Sequence, residues 1–340
     1  MAALSQKERL LAVAKQQPVD KPPCICPGGM MNMMFQEIME QSGCFWPEAH
    51  TNPEKMSGLA YALNQAGGFE NYGVPFCMTV EAEAMGAKVN MGSLLCEPHV
   101  VDSPLASCEN LAELQPLDLK KGRVKTVLAA IHLLKEKRTE VPIIGNLTGP
   151  VSTAGTLVDM SVLLKEYRRK PAAAHALMDF VTKQLIVFGQ AQIAAGADAI
   201  CIAEPSGTGE ILGPKFFAEY SVRYLNQLLD ALTVPIKIVH ICGSLKSVYP
   251  LLKELHCDAF SFDAIVPIEE IKPYLPGKAV MGNVNTHAIG TMSPEKVAAL
   301  ARFAMQKGAD IVAPACGLPT TTPLANVQAL VTATNMKLAK

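Results

Sequence analysis

The sequence predicts an α/β protein built as a TIM (β/α)8 barrel, with an N-terminal extension and insertions. Three observations lead there. Short apolar runs of strand length alternate with helical stretches through the second half of the chain. A helix-Gly-Ala-Asp-strand phrase occurs twice, at Gly196-Ala197-Asp198 and Gly308-Ala309-Asp310, which marks one βα unit used repeatedly. Eight strand-like runs can be counted, and eight parallel strands, each followed by a helix, close into a barrel. A doubly wound open sheet is the competing arrangement, and the strand count favours the barrel.

The elements follow in order. Residues 1–21 form a lead-in with an amphipathic helix, a capping box from Ser5 to Glu8, and a stop before Pro18. PPCICPGG (22–29) is the first expected strand and VPFCMTVEAE (74–83) the second. VPIIGNLTG (141–149) is the third, a buried-strand pattern ending in Gly. A long helix is expected from about Pro171 to Ala195, stopped by Gly196, and ADAICIAEP follows as the fourth strand. PIKIVHICG (235–243), DAFSFDA (258–264) and KAVMGNVN (278–285) are the fifth to seventh. Ser293 caps a helix with Pro294 at its first position, that helix ends at Lys307-Gly308, and ADIVAPAC is the eighth strand. Residues 30–73 and 84–122 become insertions near the mouth or the N-terminal face. GGMMNMMFQEIM (28–39), with five methionines, reads as a core-facing helix. No linker or low-complexity segment interrupts the chain, so residues 1–340 are expected to form one domain.

Composition narrows the function. The 340 residues are 49% hydrophobic and 18% charged, with a formal net charge of -1. That balance argues against nucleic acid and anionic lipid as partners. No apolar run is long enough to span a bilayer and no signal peptide opens the chain, so no membrane association is expected. The ten cysteines then read as reduced thiols in a cytoplasmic protein.

The chemistry concentrates at three residues. His240 and Cys242 lie two apart in IVHICGSL, and Cys316 stands in VAPACGLP. Imidazole and thiolate are ligands zinc prefers, and three protein ligands with one open position mark a catalytic site. His240 and Cys242 end the fifth strand, on one face, and Cys316 ends the eighth. In a barrel these ends open on the same side. Two thiolates already quench much of the metal's charge, so such a site is poor at activating water. It suits holding an incoming thiol as a nucleophilic thiolate.

Other strand ends carry polar groups. Asp263 is the candidate for a fourth, displaceable ligand, against the alternative of a helix cap. Asn146, Glu204, Asn283 and Glu81 are candidates for holding substrate; Glu204 could also orient a ligand histidine, and Asn285 lies at the same face. Glu81 and Glu83 are expected on one face at the end of the second strand. His50, His99, His175, His256 and His287 show no ligand spacing and read as surface or cap residues. No GxGxxG or GKS/T loop is present, so nucleotide binding is unsupported.

At this point the chain resembles a known family. KERLLAVAKQQPVDKPP, GVPFCMTVEAEAMGAKVNMGS, GNLTGPVSTAGTL, the HIC…C set and MGNVNTHAIGTMSPEKV together resemble the methylcobamide:coenzyme M methyltransferases of the uroporphyrinogen decarboxylase superfamily. The resemblance spans essentially the whole chain, and HIC with APAC is its most specific part. It implies a TIM barrel, one zinc ion on His240, Cys242 and Cys316, and a resting acidic ligand that falls on Asp263. It implies methyl transfer from a methylcobamide, carried by a partner corrinoid protein, to a thiol such as coenzyme M. Tetrahydrofolate or homocysteine as acceptor, a decarboxylase-like protein without methyl transfer, and a binding module without turnover are the alternatives. The decarboxylase branch fits badly: Arg9 is the one arginine before residue 120, too little fixed charge for a substrate bearing many carboxylates. The corrinoid-binding D-x-H-x-x-G pattern is absent, which assigns the corrinoid to the partner.

Overall fold

A computed structural model describes residues 3–137 and 140–335. In chain order its strands are β1 (Tyr72–Val74), β2 (Lys88–Asn90), β3 (His99–Asp102), β4 (Ile143–Thr148), β5 (Ala199–Ala203), β6 (Ile236–Ile241), β7 (Ala259–Phe262) and β8 (Ala279–Met281). Six of them form a parallel sheet ordered β1-β4-β5-β6-β7-β8, while β2 and β3 pair antiparallel outside it. β4 and β5 are buried at every position. Helices cover one face of such strands and barrel contents the other, so continuous apolar runs replace alternation.

Two further segments complete the circle. Residues 310–315 lie beside β8: Gly282 N–H donates to Ile311 O (3.0 Å) and Ala315 N–H to Val284 O (2.8 Å). Residues 23–28 lie beside these: Val312 N–H donates to Pro23 O (2.9 Å) and Ile25 N–H to Val312 O (3.1 Å). The seam back to β1 is different. Glu70 N–H donates to Cys24 O (2.9 Å), and Gly29 N–H to Pro75 O (2.7 Å). Between them the side-chain amide of Asn71 takes the place of a backbone ladder. Its Oδ1 accepts from Cys26 N–H (3.0 Å) and its Nδ2 donates to Cys26 O (2.8 Å). The result is the eight-stranded barrel. Its first and eighth strands appear as isolated bridges, Cys24 with Val312, Met281 with Ile311 and Val284 with Pro314, because Pro23, Pro27 and Pro314 lack the N–H a longer ladder needs.

Local signals in the sequence match the helix boundaries. Ser5 Oγ accepts from Glu8 N–H (3.2 Å) and Glu8 returns a bond to Ser5 N–H (2.9 Å), opening the helix Gln6–Ala14. The long helix runs Pro171–Ala195 and ends at Gly196, whose φ of 124° a side-chain-bearing residue rarely adopts. The helix Pro294–Gln306 starts after Ser293 as expected.

The first half departs from expectation. The second strand was expected over 74–83, but β1 stops at Val74, where Pro75 ends the ladder, and residues Val80–Ala84 are helical. Glu81 and Glu83 therefore do not share a strand face. Glu81 is buried, while Glu83 accepts from Arg123 Nε (2.6 Å). The methionine-rich stretch is core, as expected, but not one helix. Gly28 bridges Met31, residues 32–35 have no regular secondary structure, and the helix covers only Gln36–Ser42. Met31, Met33 and Met34 are all fully buried. The two insertions hold the helix Pro53–Gln65 and the β2–β3 hairpin. His50 is not a surface residue. It is buried between Trp46 (ring centroids 4.6 Å apart) and Phe76 (6.3 Å), and burial holds its imidazole down at about 3. A single apolar cluster runs from Leu10 to Ala333.

Candidate metal centre

β6 and the end of the eighth strand build the site. His240 faces the barrel interior and is fully buried; Cys242, two residues on, points the same way. His240 Nε2 stands 3.0 Å from Cys242 Sγ, and Cys242 Sγ stands 3.5 Å from Cys316 Sγ. The three ligand atoms lie within 4.8 Å of one another, and no other such cluster occurs among the described residues. The 74 residues separating Cys242 from Cys316 are spanned by barrel closure.

The far side of the imidazole is held too. Nδ1 lies 2.9 Å from Ser261 Oγ on β7, and His240 and Ser261 are register partners. Sequence reasoning missed Ser261, although a lone buried hydroxyl in the apolar run AFSF was the available signal. The sulfurs influence each other strongly. The hydrogen bond from Cys242, together with His240, holds Cys316 well below the usual thiol range. The same bond, with burial and the charges of Cys316 and Asp263, pushes Cys242 far up. Two thiols that share a proton in this way accommodate a cation readily, since it replaces that proton.

The remaining candidates are tied into the loops. Asp263 accepts from Gly243 N–H (3.2 Å) through Oδ2 and from Ile265 N–H (3.1 Å) through Oδ1, and does not join the ligand cluster. Asn283 is half-buried and donates to Asp263 O (2.9 Å) and Val266 O (2.8 Å). Asn146 is buried and donates to Pro27 O (2.8 Å) and Val74 O (3.1 Å). Glu204 is buried and accepts from Val151 N–H (2.9 Å) and Ser152 N–H (2.7 Å) at the start of the helix Pro150–Leu157. Burial still raises its carboxyl to about 7. Glu81 accepts from Thr148 N–H (2.9 Å), and burial raises it as well. Asn285 caps the helix Thr286–Thr291 through Ala288 N–H. His99, His256 and His287 are exposed, and His175 is half-buried with Nδ1 2.9 Å from the Tyr224 hydroxyl. A wide surface cleft between residues 80–84 and 115–124 contains none of the three ligands.

A barrel with a histidine and two cysteines converging at its C-terminal mouth defines a class. The profile of the uroporphyrinogen decarboxylase (URO-D) family matches residues 5–336, and the chain belongs to that family. Its relatives narrow the branch. It is 33% identical to the methylcobamide:CoM methyltransferase MtaA of Methanosarcina barkeri, over 98% of both chains. It is 33% identical to the methylcobamide:CoM methyltransferase MtbA of Methanosarcina acetivorans, over 97% of this chain and 98% of the relative. A solved methyltransferase from Methanosarcina mazei superposes with a TM-score of 0.91 at 32% identity, covering 97% of this chain and 98% of that one. The chain is an enzyme of the family's methyltransferase branch.

Proposed function

We propose that the chain is a zinc-dependent methyltransferase that moves a methyl group from a methylated corrinoid, carried by a partner protein, to coenzyme M. The convergence of His240 Nε2, Cys242 Sγ and Cys316 Sγ carries this reading. The likeness to methylcobamide:CoM methyltransferases supports the corrinoid and the thiol. The donor set fits zinc: one imidazole and two thiolates leave one tetrahedral position for a ligand from outside. When bound, zinc would supply the positive charge that keeps a visiting thiol deprotonated at neutral pH.

The chain's own residues do the rest. Cys242 and Cys316 donate two negative charges, so the site stays electron-rich and favours a nucleophilic sulfur. Ser261 fixes the imidazole plane, which requires the proton on Nδ1 and leaves Nε2 bare. The thiol releases its proton to solvent, and its sulfur attacks the methyl carbon. The S–C bond forms as the Co–C bond breaks, and the electron pair leaves with the partner's cobalt. Among the strand-end groups, Asn283 is best placed to meet substrate. It is half-buried, and its Oδ1 makes no hydrogen bond among the described residues. Asn146, Glu204 and Glu81 act in this reading by shaping the mouth. All ten cysteines are free, and no described helix is long and apolar enough to cross a membrane. We accordingly place the protein in the cytoplasm, folded as one domain.

The test is Cys316→Ala. Zinc content and methyl transfer from a methylated corrinoid to coenzyme M are expected to vanish together, with the circular dichroism spectrum unchanged. Retained transfer would overturn the reading.

A further inference from the structure

One flank of the barrel mouth is raised. The long helix Pro171–Ala195 is level with β4 at Gln192, whose Nε2 donates to Asn146 O (3.0 Å). From that level β4 rises only to Thr148, about 7 Å further. The helix, traced back towards its start, rises to His175, about 25 Å further. Its head therefore projects more than about 10 Å past the strand end. Aromatic rings brace it. Tyr220 stacks on Tyr167 (ring centroids 3.6 Å apart) and on His175 (4.7 Å), and His175 Nδ1 lies 2.9 Å from the Tyr224 hydroxyl. Ser221 Oγ donates to Gly207 O (3.0 Å), which ties the brace to the loop after β5. From that loop the helix Gly209–Phe216 leads outward. It starts beside the candidate ligands, because a Cβ on Gly243, the residue after Cys242, would collide with the Glu210 carboxylate. It ends at Phe216, on the order of 10 Å away.

Cations gather on this flank. Arg168 Cζ and Lys215 Nζ each stand 5.6 Å from the centroid of the Phe216 ring, and Arg223 Cζ stands 5.3 Å from that of Tyr224. Arg169 follows Arg168 at the end of the helix Met160–Arg169. All four are exposed, and none forms an ion pair among the described residues. The acids interleaved with them are engaged elsewhere: Glu166 with Lys170 (3.2 Å) and Glu219 with His175 (3.3 Å). Asp179, near Tyr224, offsets part of the charge. In a chain of net charge -1 this is a local excess of positive charge, too small for general affinity to nucleic acid. Arginine beside aromatic rings is a composition that protein interfaces favour.

We propose that this flank, centred on Arg168, Lys215 and Phe216, is the docking surface for the corrinoid-carrying partner, and that it meets an acidic face of that protein. This rests on the methyl transfer proposed above. A protein that brings its cobalt to the sulfurs must meet whatever projects beside them, and the flank does. Unpaired cations there speed the encounter with an acidic face and fix its orientation, at a strength that salt screens.

The test uses the full-length protein, the double variants Arg168→Glu/Lys215→Glu and Arg168→Gln/Lys215→Gln, and a charge-matched control far from the mouth, Lys15→Glu/Lys253→Glu. The methyl donors are free methylcobalamin and, from a panel of methylated corrinoid proteins, the one the parent turns over fastest. Affinity for that corrinoid protein is also read by calorimetry on the metal-free chain. At low salt the Glu double variant is expected to raise KM for the corrinoid protein and to weaken its binding about tenfold each, with kcat unchanged. The Gln variant should fall between it and the parent, and in about 0.5 M salt both effects should shrink below about twofold. Turnover of free methylcobalamin should not change, and the control should match the parent throughout. The inference is overturned if binding and KM stay put or improve, if the loss ignores salt, or if the control reproduces it. An equal loss with free methylcobalamin also overturns it, since the cations would then grip the cofactor's own phosphate. A parent that uses free methylcobalamin as well as any corrinoid protein has no docking surface, which ends this inference alone. A parent that transfers methyl from neither donor ends the proposed function along with it.

Discussion

Replacing Ser261 by Ala deletes one hydroxyl and adds no volume. Ser261 Oγ lies 2.9 Å from His240 Nδ1, and both side chains are fully buried. In the metal-free protein the imidazole has an escape. Its proton can move to Nε2, which stands 3.0 Å from Cys242 Sγ, so that Nδ1 no longer needs an acceptor. Zinc removes the escape, because Nε2 must then be bare and the proton must sit on Nδ1, where nothing receives it. A buried donor left without a partner costs about 1–3 kcal/mol. Loss of the group orienting a metal-bound histidine lowers metal affinity about 10–100-fold, which corresponds to about 1.4–2.8 kcal/mol. The two independent estimates agree. Ser261→Ala should therefore weaken zinc binding by that factor and lower the stability of the metal-free protein by less than about 1 kcal/mol. Chelator competition gives the first quantity and denaturant titration without metal gives the second. Unchanged zinc affinity, or an equal loss with and without metal, would refute the argument that the hydroxyl selects the tautomer.

Two further predictions concern the frame. Asn71→Leu strips the barrel seam of both bonds to Cys26 and leaves two buried backbone groups unpaired, at about 1–3 kcal/mol each. A denaturation midpoint close to that of the parent would mean that other contacts hold the seam. At the N-terminal helix, Arg9 donates to both oxygens of Asp20 and holds that carboxyl down at about 2, against an ordinary 3.8. A depressed carboxylate stabilises the fold fully above its unfolded value and stops doing so as pH falls through its folded value. About 2 kcal/mol should therefore be lost between about pH 4 and pH 2, and Asp20→Asn should flatten that part of the stability profile. An identical acid limb in the variant would assign the loss to other carboxylates.

The second half of the fold was legible because each unit announces itself locally. Gly196 and Gly308 stop helices, Ser293 and Pro294 start one, and the strands between are uniformly apolar. The convergence of His240, Cys242 and Cys316 was legible for the same reason: a strand end fixes which way residues i and i+2 point. The first half was not, since its elements are defined by distant partners. Residues 74–83 look like a strand, but Pro75 breaks the ladder and Glu81 turns inward to reach Thr148. His50 looks like a surface residue because nothing near it in sequence reveals Phe76 meeting it edge-on.

The polar strand-end residues explain how such a mouth can hold a reactive ligand set without collapsing onto it. Asn146 ties β4 to the segments ending at Pro27 and Val74. Glu81 ties the second βα loop to the end of β4, and Glu204 ties β5 to the loop after β4. Asp263 ties the loop after β7 to the loop after β6, and Asn283 ties the loop after β8 to that of β7. Each side chain thus bonds the main chain of a neighbouring unit, and together they form a girdle around the rim. Cys242 and Cys316 take no part in these ties; their sulfurs face each other at 3.5 Å. In the zinc reading, a rim tied in this way keeps the imidazole and the two sulfurs in place while the fourth position exchanges. Loosening a tie such as Asp263 to Gly243 should then disturb the sulfur geometry before it disturbs the fold.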